Sequence, residues 1–240
     1  MDEGFNSYMN ILSRADRQGE APNLDGLGQR YGTTSGDEGE APMMWNANYA
    51  GPGYRFQTYR KTPLMLSMLG GIVGDEEVQR AMSAYTTAWR FKHPSPWDYL
   101  FFMNNALGQD LEWFWYYWLW TTESVDGSIE NVTTTGTKTR VTIRQAGQMP
   151  SPVVLKVVFA PTGPSIGSMP NARMLDANTA LVTWPVDVWF EGSRTFDADL
   201  DFGPRRIEQI IFDPGCRFPD RDPGDNVWPR DAAGTSLCEP

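Results

Sequence analysis

The sequence predicts an α+β protein, a helical lobe followed by an antiparallel β-sandwich, and two observations carry that reading. From Glu3 to about Trp120 apolar residues recur at helical spacing, whereas from about Val125 onward they fall into short β-branched runs between turn residues. The composition, 40% hydrophobic and 13% aromatic over 240 residues, is enough to pack sizeable cores. The boundary falls between Thr121 and Asp126, which divides the chain into 1–122 and 123–240.

In chain order, Phe5, Tyr8, Met9 and Leu12 form a stripe at i, i+3, i+4 and i+7, so residues 3–13 read as one amphipathic helix with Glu3 in its first turn. Residues 16–56 are rich in glycine, proline and polar groups and lack a sustained period, which predicts a long loop or insertion. Pro63 suits a first helical position and opens a helix over Leu64–Val73 that stops at Gly74. Asp75 caps the next helix, whose first turn holds Glu76 and Glu77 and whose apolar face is Val78, Met82, Tyr85 and Trp89. Ser95, Pro96 and Asp98 start another that runs to Gly108, and Asp110 caps a last helix through Trp120. That segment, LEWFWYYWLW, is apolar nearly all round, which predicts burial on most sides and a core role for its tryptophans. Strands are expected at 137–144, 152–159, 179–190 and 206–212, with turns at Gly136, Gly147, Gly167 and Gly192, an antiparallel pattern of immunoglobulin-like size.

The net charge of −10 repels a phosphate backbone, so nucleic acid is not an expected partner. No stretch approaches the roughly 18 consecutive apolar residues of a membrane span, and MDEGF has neither the basic start nor the apolar run of a secretion signal. Cys216 and Cys238 are the two cysteines. Paired, they would close a loop worth about 3 kcal/mol and point to an oxidising compartment; the other reading is two unpaired thiols.

His93 is the only histidine, between two expected helices in RFKHPSP, where it reads as a polar residue at a helix junction. A nucleophilic triad would need a histidine within reach of its nucleophile, and with His93 alone to serve one it is not an expected design. A self-sufficient zinc site needs three protein ligands, commonly with two histidines at i and i+4 of one helix, and this chain cannot build that alone. There is no P-loop, no GxGxxG after a strand and no CxxC pair. Asp220, Asp222 and Asp225 alternate as calcium ligands do, or as a solvated acidic loop does.

Five segments in order carry a family resemblance: Glu3-Gly4-Phe5 at the start, Tyr59-Arg60-Lys61, GDEEV from Gly74, RFKHPSPWDY from Arg90, and GQDLEWFWYYWL from Gly108. Together they make residues 1–122 resemble the gluzincin zinc metallopeptidases of the aminopeptidase N family, entered after their HExxH helix. TWPVDVWFEG and DPGCRFPDRDPGDNVWP resemble, more loosely, segments of bacterial secreted members, which implies a secreted or periplasmic full-length protein. The resemblance implies a thermolysin-like helical lobe in which Glu3 is the third zinc ligand and Tyr59 donates a hydrogen bond to the developing oxyanion of a peptide substrate. A phenol suits that task because it donates without bringing a full charge. The family's glycine after the lysine is Thr62 here.

The intact enzyme would thus remove amino-terminal residues from peptides, while this chain alone is expected to be zinc-poor and inactive. Two other classes remain open from the residues. One is a metal-independent hydrolase, such as a carboxylate-based glycosidase using Asp2 and Glu3. The other is a non-catalytic module that forms a homo-oligomer through apolar surface left by missing front domains.

Overall fold

The computed structural model describes residues 2–24, 26–32, 35–36 and 39–230. They divide into two units, one of residues 2–24, 36 and 39–123 and one of residues 26–32, 35 and 124–230. The first is helical and the second is built of antiparallel sheets, so the chain is α+β as its periodicity predicts. Among the described residues no helix is long and apolar enough to cross a membrane.

In the helical unit α1 spans Asp2–Gln18, longer than expected, because nothing between Ser13 and Gln18 breaks a helix. Its buried residues are Gly4, Tyr8 and Ala15, while Met9 is exposed. The stripe is rotated from the predicted one because two of its members are small residues, invisible to a search for large apolar side chains.

The helix expected to open at Pro63 begins earlier. Tyr54–Phe56 (α3) runs without interruption through a π-helical turn, Gln57–Lys61, into α4, Thr62–Val73. Pro63 therefore lies within a continuous helix. It has no N–H to give to the carbonyl of Tyr59, and its ring crowds that carbonyl. A π turn just ahead of it, with its wider i to i+5 spacing, is a recognised way for a helix to absorb such a disruption.

α5 spans Asp75–Trp89 and its N-cap is Gly74 at φ 103°, so Asp75 is a first-turn residue beside Glu76 and Glu77 rather than the cap. α6, Pro96–Leu107, has the capping box that the sequence indicates: Ser95 Oγ accepts from the Asp98 N–H, and Asp98 Oδ2 accepts from the Ser95 N–H at 2.8 Å. It closes at Gly108 in the left-handed conformation. α7, Glu112–Trp115, continues as a second π turn, Tyr116–Trp120. Burial here is narrower than the all-apolar pattern predicts: Phe114, Trp115, Trp118 and Leu119 are buried, but Tyr116 faces solvent and Trp113 and Trp120 are half-buried. The core centres on Tyr99, whose ring meets Phe5 at 4.8 Å, Tyr85 at 5.1 Å and Trp115 at 5.9 Å. Trp115 Nε1 donates to Asn104 Oδ1 at 2.7 Å, which satisfies its buried indole.

The second unit holds a three-stranded sheet, β1-β2-β6, and a five-stranded sheet, β4-β5-β3-β7-β8, with every pairing antiparallel. β2 (Lys138–Gln145), β3 (Val153–Phe159), β5 (Thr179–Trp184) and β7 (Ile207–Phe212) fall where strands are expected, except that β5 ends before Pro185 and a 3-10 turn over Val186–Trp189 takes its place. β1 (Gly127–Thr135), β4 (Ala172–Asp176), β6 (Thr195–Leu200) and β8 (Val227–Trp228) are additional. The sheets meet through Trp184 and Phe196, centroids 5.7 Å apart, and Phe212 closes over Gly127.

Residues 26–32 and 35, from the long region read as one loop, belong to this sheet unit and include a short helix, α2, Gln29–Gly32. The segment lies against the backbone of 215–220: the Gly26 N–H donates to Gly215 O at 2.6 Å, and a side chain at Gly28 would come within 2.8 Å of Phe218 O. Cys216 is buried. Cys238 lies outside the described residues, and with it the pairing considered above.

Candidate functional site

Both candidate residues of the helical unit stand next in sequence to residues of one helix crossing. α1 packs on the π turn and α4 at Gly4, where a Cβ would fall on Thr62 Cβ, 2.5 Å from Thr62 Oγ1 and 3.0 Å from Thr58 O. Only glycine permits so close an approach of the two backbones. Glu3 precedes that contact on one helix, and Tyr59 follows Thr58 on the other. Glu3 is exposed in the first turn of α1, where the helix dipole favours a carboxylate. Thr62, which replaces the glycine expected after the lysine, is fully buried, and its hydroxyl has no hydrogen-bond partner among the described residues.

Tyr59 sits in the middle of the π turn, 40% exposed, with no hydrogen-bond partner for its phenol among the described residues. It lines a cavity of about 560 Å³ with Pro52, Tyr54, Arg55, Phe56 and Arg60. Glu3 is not part of that lining.

The turn is held from behind. Lys61 is completely buried and its Nζ lies 2.5 Å from Glu40 Oε1, a carboxylate with 7% of its side chain exposed. Burial lowers the Lys61 pKa, and the charge and hydrogen bond of Glu40 oppose that fall. Gln57 Nε2 donates to Ala41 O, and a Cβ at Gly53 would lie 2.8 Å from Gly39 O. Residues 39–41 thus brace both ends of the π turn. The resemblance placed Lys61 in a motif but gave it no role, and its partner Glu40 lies in a region with no periodic signal.

Other candidates are dispersed. His93 is exposed in the connection between α5 and α6, where Ser95 rather than His93 supplies the cap. Asp220 corrects the picture of a solvated acidic loop, since it is 4% exposed and accepts from Gly127 N, Asp222 N and Asn226 Nδ2. Burial raises its pKa against those hydrogen bonds. Asp225 is pushed up to about 6, first by burial and then by the charges of Asp220 and Asp222. Asp222 Oδ1 accepts from Gly224 N and so caps the 3-10 turn Pro223–Asp225. Among the described residues no group of three His, Cys, Asp or Glu side chains is placed to hold a metal ion.

Set against solved structures, the chain aligns over 91% of its length, at a TM-score of 0.55 and 12% identity, with an aminopeptidase A of Legionella pneumophila crystallised in complex with aspartic acid. The chain folds like part of an aminopeptidase. It spans 23% of the length of that protein. A second alignment, with a chitin-binding domain of a Pyrococcus furiosus chitinase, covers 38% of this chain and 92% of that one at 18% identity and a TM-score of 0.24, too low to bear on fold or function. No protein-family model and no curated protein matches the sequence.

Proposed function

We propose that this chain is the rear portion of a zinc-dependent aminopeptidase, in which Glu3 supplies one carboxylate to the metal and Tyr59 donates a hydrogen bond to the oxyanion formed at the scissile carbonyl. The observation that supports it is the Gly4 crossing, whose contacting residues Gly4 and Thr58 are the sequence neighbours of Glu3 and Tyr59, in a chain that folds like part of an aminopeptidase. The exposed phenol on a cavity wall, without a hydrogen-bond partner among the described residues, is available to a substrate oxygen in a way that a buried, bonded tyrosine is not.

Zinc fits this chain only in part. Coordination takes three protein ligands, and with a single histidine in the sequence the two histidines of an HExxH helix are not in it. The residues present do not make a zinc site by themselves, and the expected state of the isolated chain is a peptide cleft without turnover.

Metal analysis of the purified chain together with a leucyl-amide hydrolysis assay tests this. The expected result is less than stoichiometric zinc and no hydrolysis, and stoichiometric zinc with turnover would refute the division of labour. The encoding DNA gives an independent check. An HExxH helix encoded about 18 residues before Glu3 supports its role as a ligand, and a natural upstream frame without one removes it.

A further inference from the structure

The π turn has a rotational effect that bears on what the cavity binds. In an α-helix residues five apart are about 140° apart around the axis, on different faces. A π turn takes one extra residue, so positions i and i+5 stand nearly as i and i+4 do in an α-helix. Arg55 and Arg60 flank Gln57–Tyr59 at that spacing, and both line the cavity with Tyr59. Both are exposed, and neither has an ion-pair partner among the described residues. Arg140, Arg144, Arg80 and Arg206, in contrast, each pair with a carboxylate.

Two guanidinium groups on the wall of one cavity, without an ion-pair partner among the described residues, form a local reversal of the overall field in a chain of net charge −10, and each is a planar fork matched to a carboxylate. Three aromatic rings, Tyr54, Phe56 and Tyr59, border the same cavity and offer apolar surface to the carbon skeleton of a ligand. Resting on the aminopeptidase reading, we infer that this cavity is a subsite for a peptide carboxylate, with Arg55 and Arg60 as residues that select for it. The carboxylate is an acidic side chain or the C-terminus of a short peptide, and the two sources can be told apart.

The test is a titration of the purified chain, followed by calorimetry and by the arginine Nε–H resonances. Aspartyl-alanine amide is compared with asparaginyl-alanine amide for the side chain, and alanyl-alanine with its amide for the C-terminus. The carboxylate-bearing member of at least one pair is expected to bind about tenfold more tightly than its neutral isostere. Arg55→Gln and Arg60→Gln should each erode that preference while leaving the thermal midpoint unchanged. Equal binding of the isosteres, or a preference that survives in the double variant, overturns the inference while leaving a peptide cleft in place. Inorganic phosphate binding with no peptide binding overturns both the inference and the peptide reading beneath it.

Discussion

Replacing Gly4 with alanine tests the helix crossing that holds the candidate site together. The added methyl would fall on Thr62 Cβ and press to 3.0 Å from the Thr58 carbonyl, and a helix backbone on the far side cannot yield as a flexible side chain does. Overpacking of that kind costs about 1–3 kcal/mol, partly offset by the gain in helix propensity of alanine over glycine, which is at most about 1 kcal/mol. The net expectation is a destabilisation of about 1–2 kcal/mol, or a fall of about 2–8 °C in the melting of the helical unit at the 2–4 °C per kcal/mol of chains this size. Scanning calorimetry of Gly4→Ala in the parent and in a Thr62→Gly background reads it. In the second background the Thr62 side chain that blocks the methyl is gone and only the 3.0 Å approach to the Thr58 carbonyl remains, so the cost of Gly4→Ala should fall by about 1 kcal/mol, a non-additivity expected between contacting sites. Gly4→Ala melting with the parent, or costing the same in both backgrounds, would show that the two helices do not meet at this point.

Four further outcomes are expected. Lys61→Met strands the Glu40 carboxylate in a buried position and should destabilise the helical unit by about 3 kcal/mol or more in urea unfolding, since removing one member of a buried pair costs more than the pair contributes. Thr62→Val removes a buried hydroxyl that has no partner among the described residues and should be neutral or stabilising by up to about 1 kcal/mol in the same assay. In the sheet unit Asp225 is raised in the fold by burial and by Asp220 and Asp222, so the folded state binds its proton more tightly than the unfolded state. Its contribution to stability therefore grows as pH falls through about 6 toward the ordinary carboxylate range, and urea midpoints at pH 7 and pH 5 should show a gain that Asp225→Asn abolishes. Tyr59→Phe should leave the melting temperature of this chain unchanged, since the phenol has no hydrogen-bond partner among the described residues. In an enzyme completed by an HExxH segment the same change should lower kcat by about 10²–10³, the usual loss for an oxyanion donor.

What could be read from the sequence was what its residues decide locally. Ser95, Asp98 and Gly108 form the cap chemistry of one helix without help from elsewhere, and they stand where their order indicates. β3, with buried and half-buried residues alternating along VVLKVVF, is equally plain. β1 and β6 were invisible for the opposite reason. GSIENVTTT is mostly polar and TFDADL is half polar, with an alternation only six residues long, and they become strands through a shared partner: Arg140 of β2 is an ion-pair partner of Asp199, and Thr142 of β2 donates to Asp197. The site shows the same division. Glu3 and Tyr59 were named from a motif, but the arginine pair, the Glu40 brace and the cavity depend on a π turn that no periodicity reveals. Pro63 was the one available sign of it, and it reads more naturally as the start of a helix than as the reason for a bulge within one.

The excursion of residues 26–32 and 35 onto the sheet unit gives the chain three passages between units, after Leu24, after Ser35 and after Glu123. A single cut near Glu123 therefore cannot release either half intact. A helical fragment ended there would carry a stretch whose glycines are shaped for the backbone of 215–220, and a sheet fragment begun there would lose that cover from Phe218. The two units have to be produced as one chain.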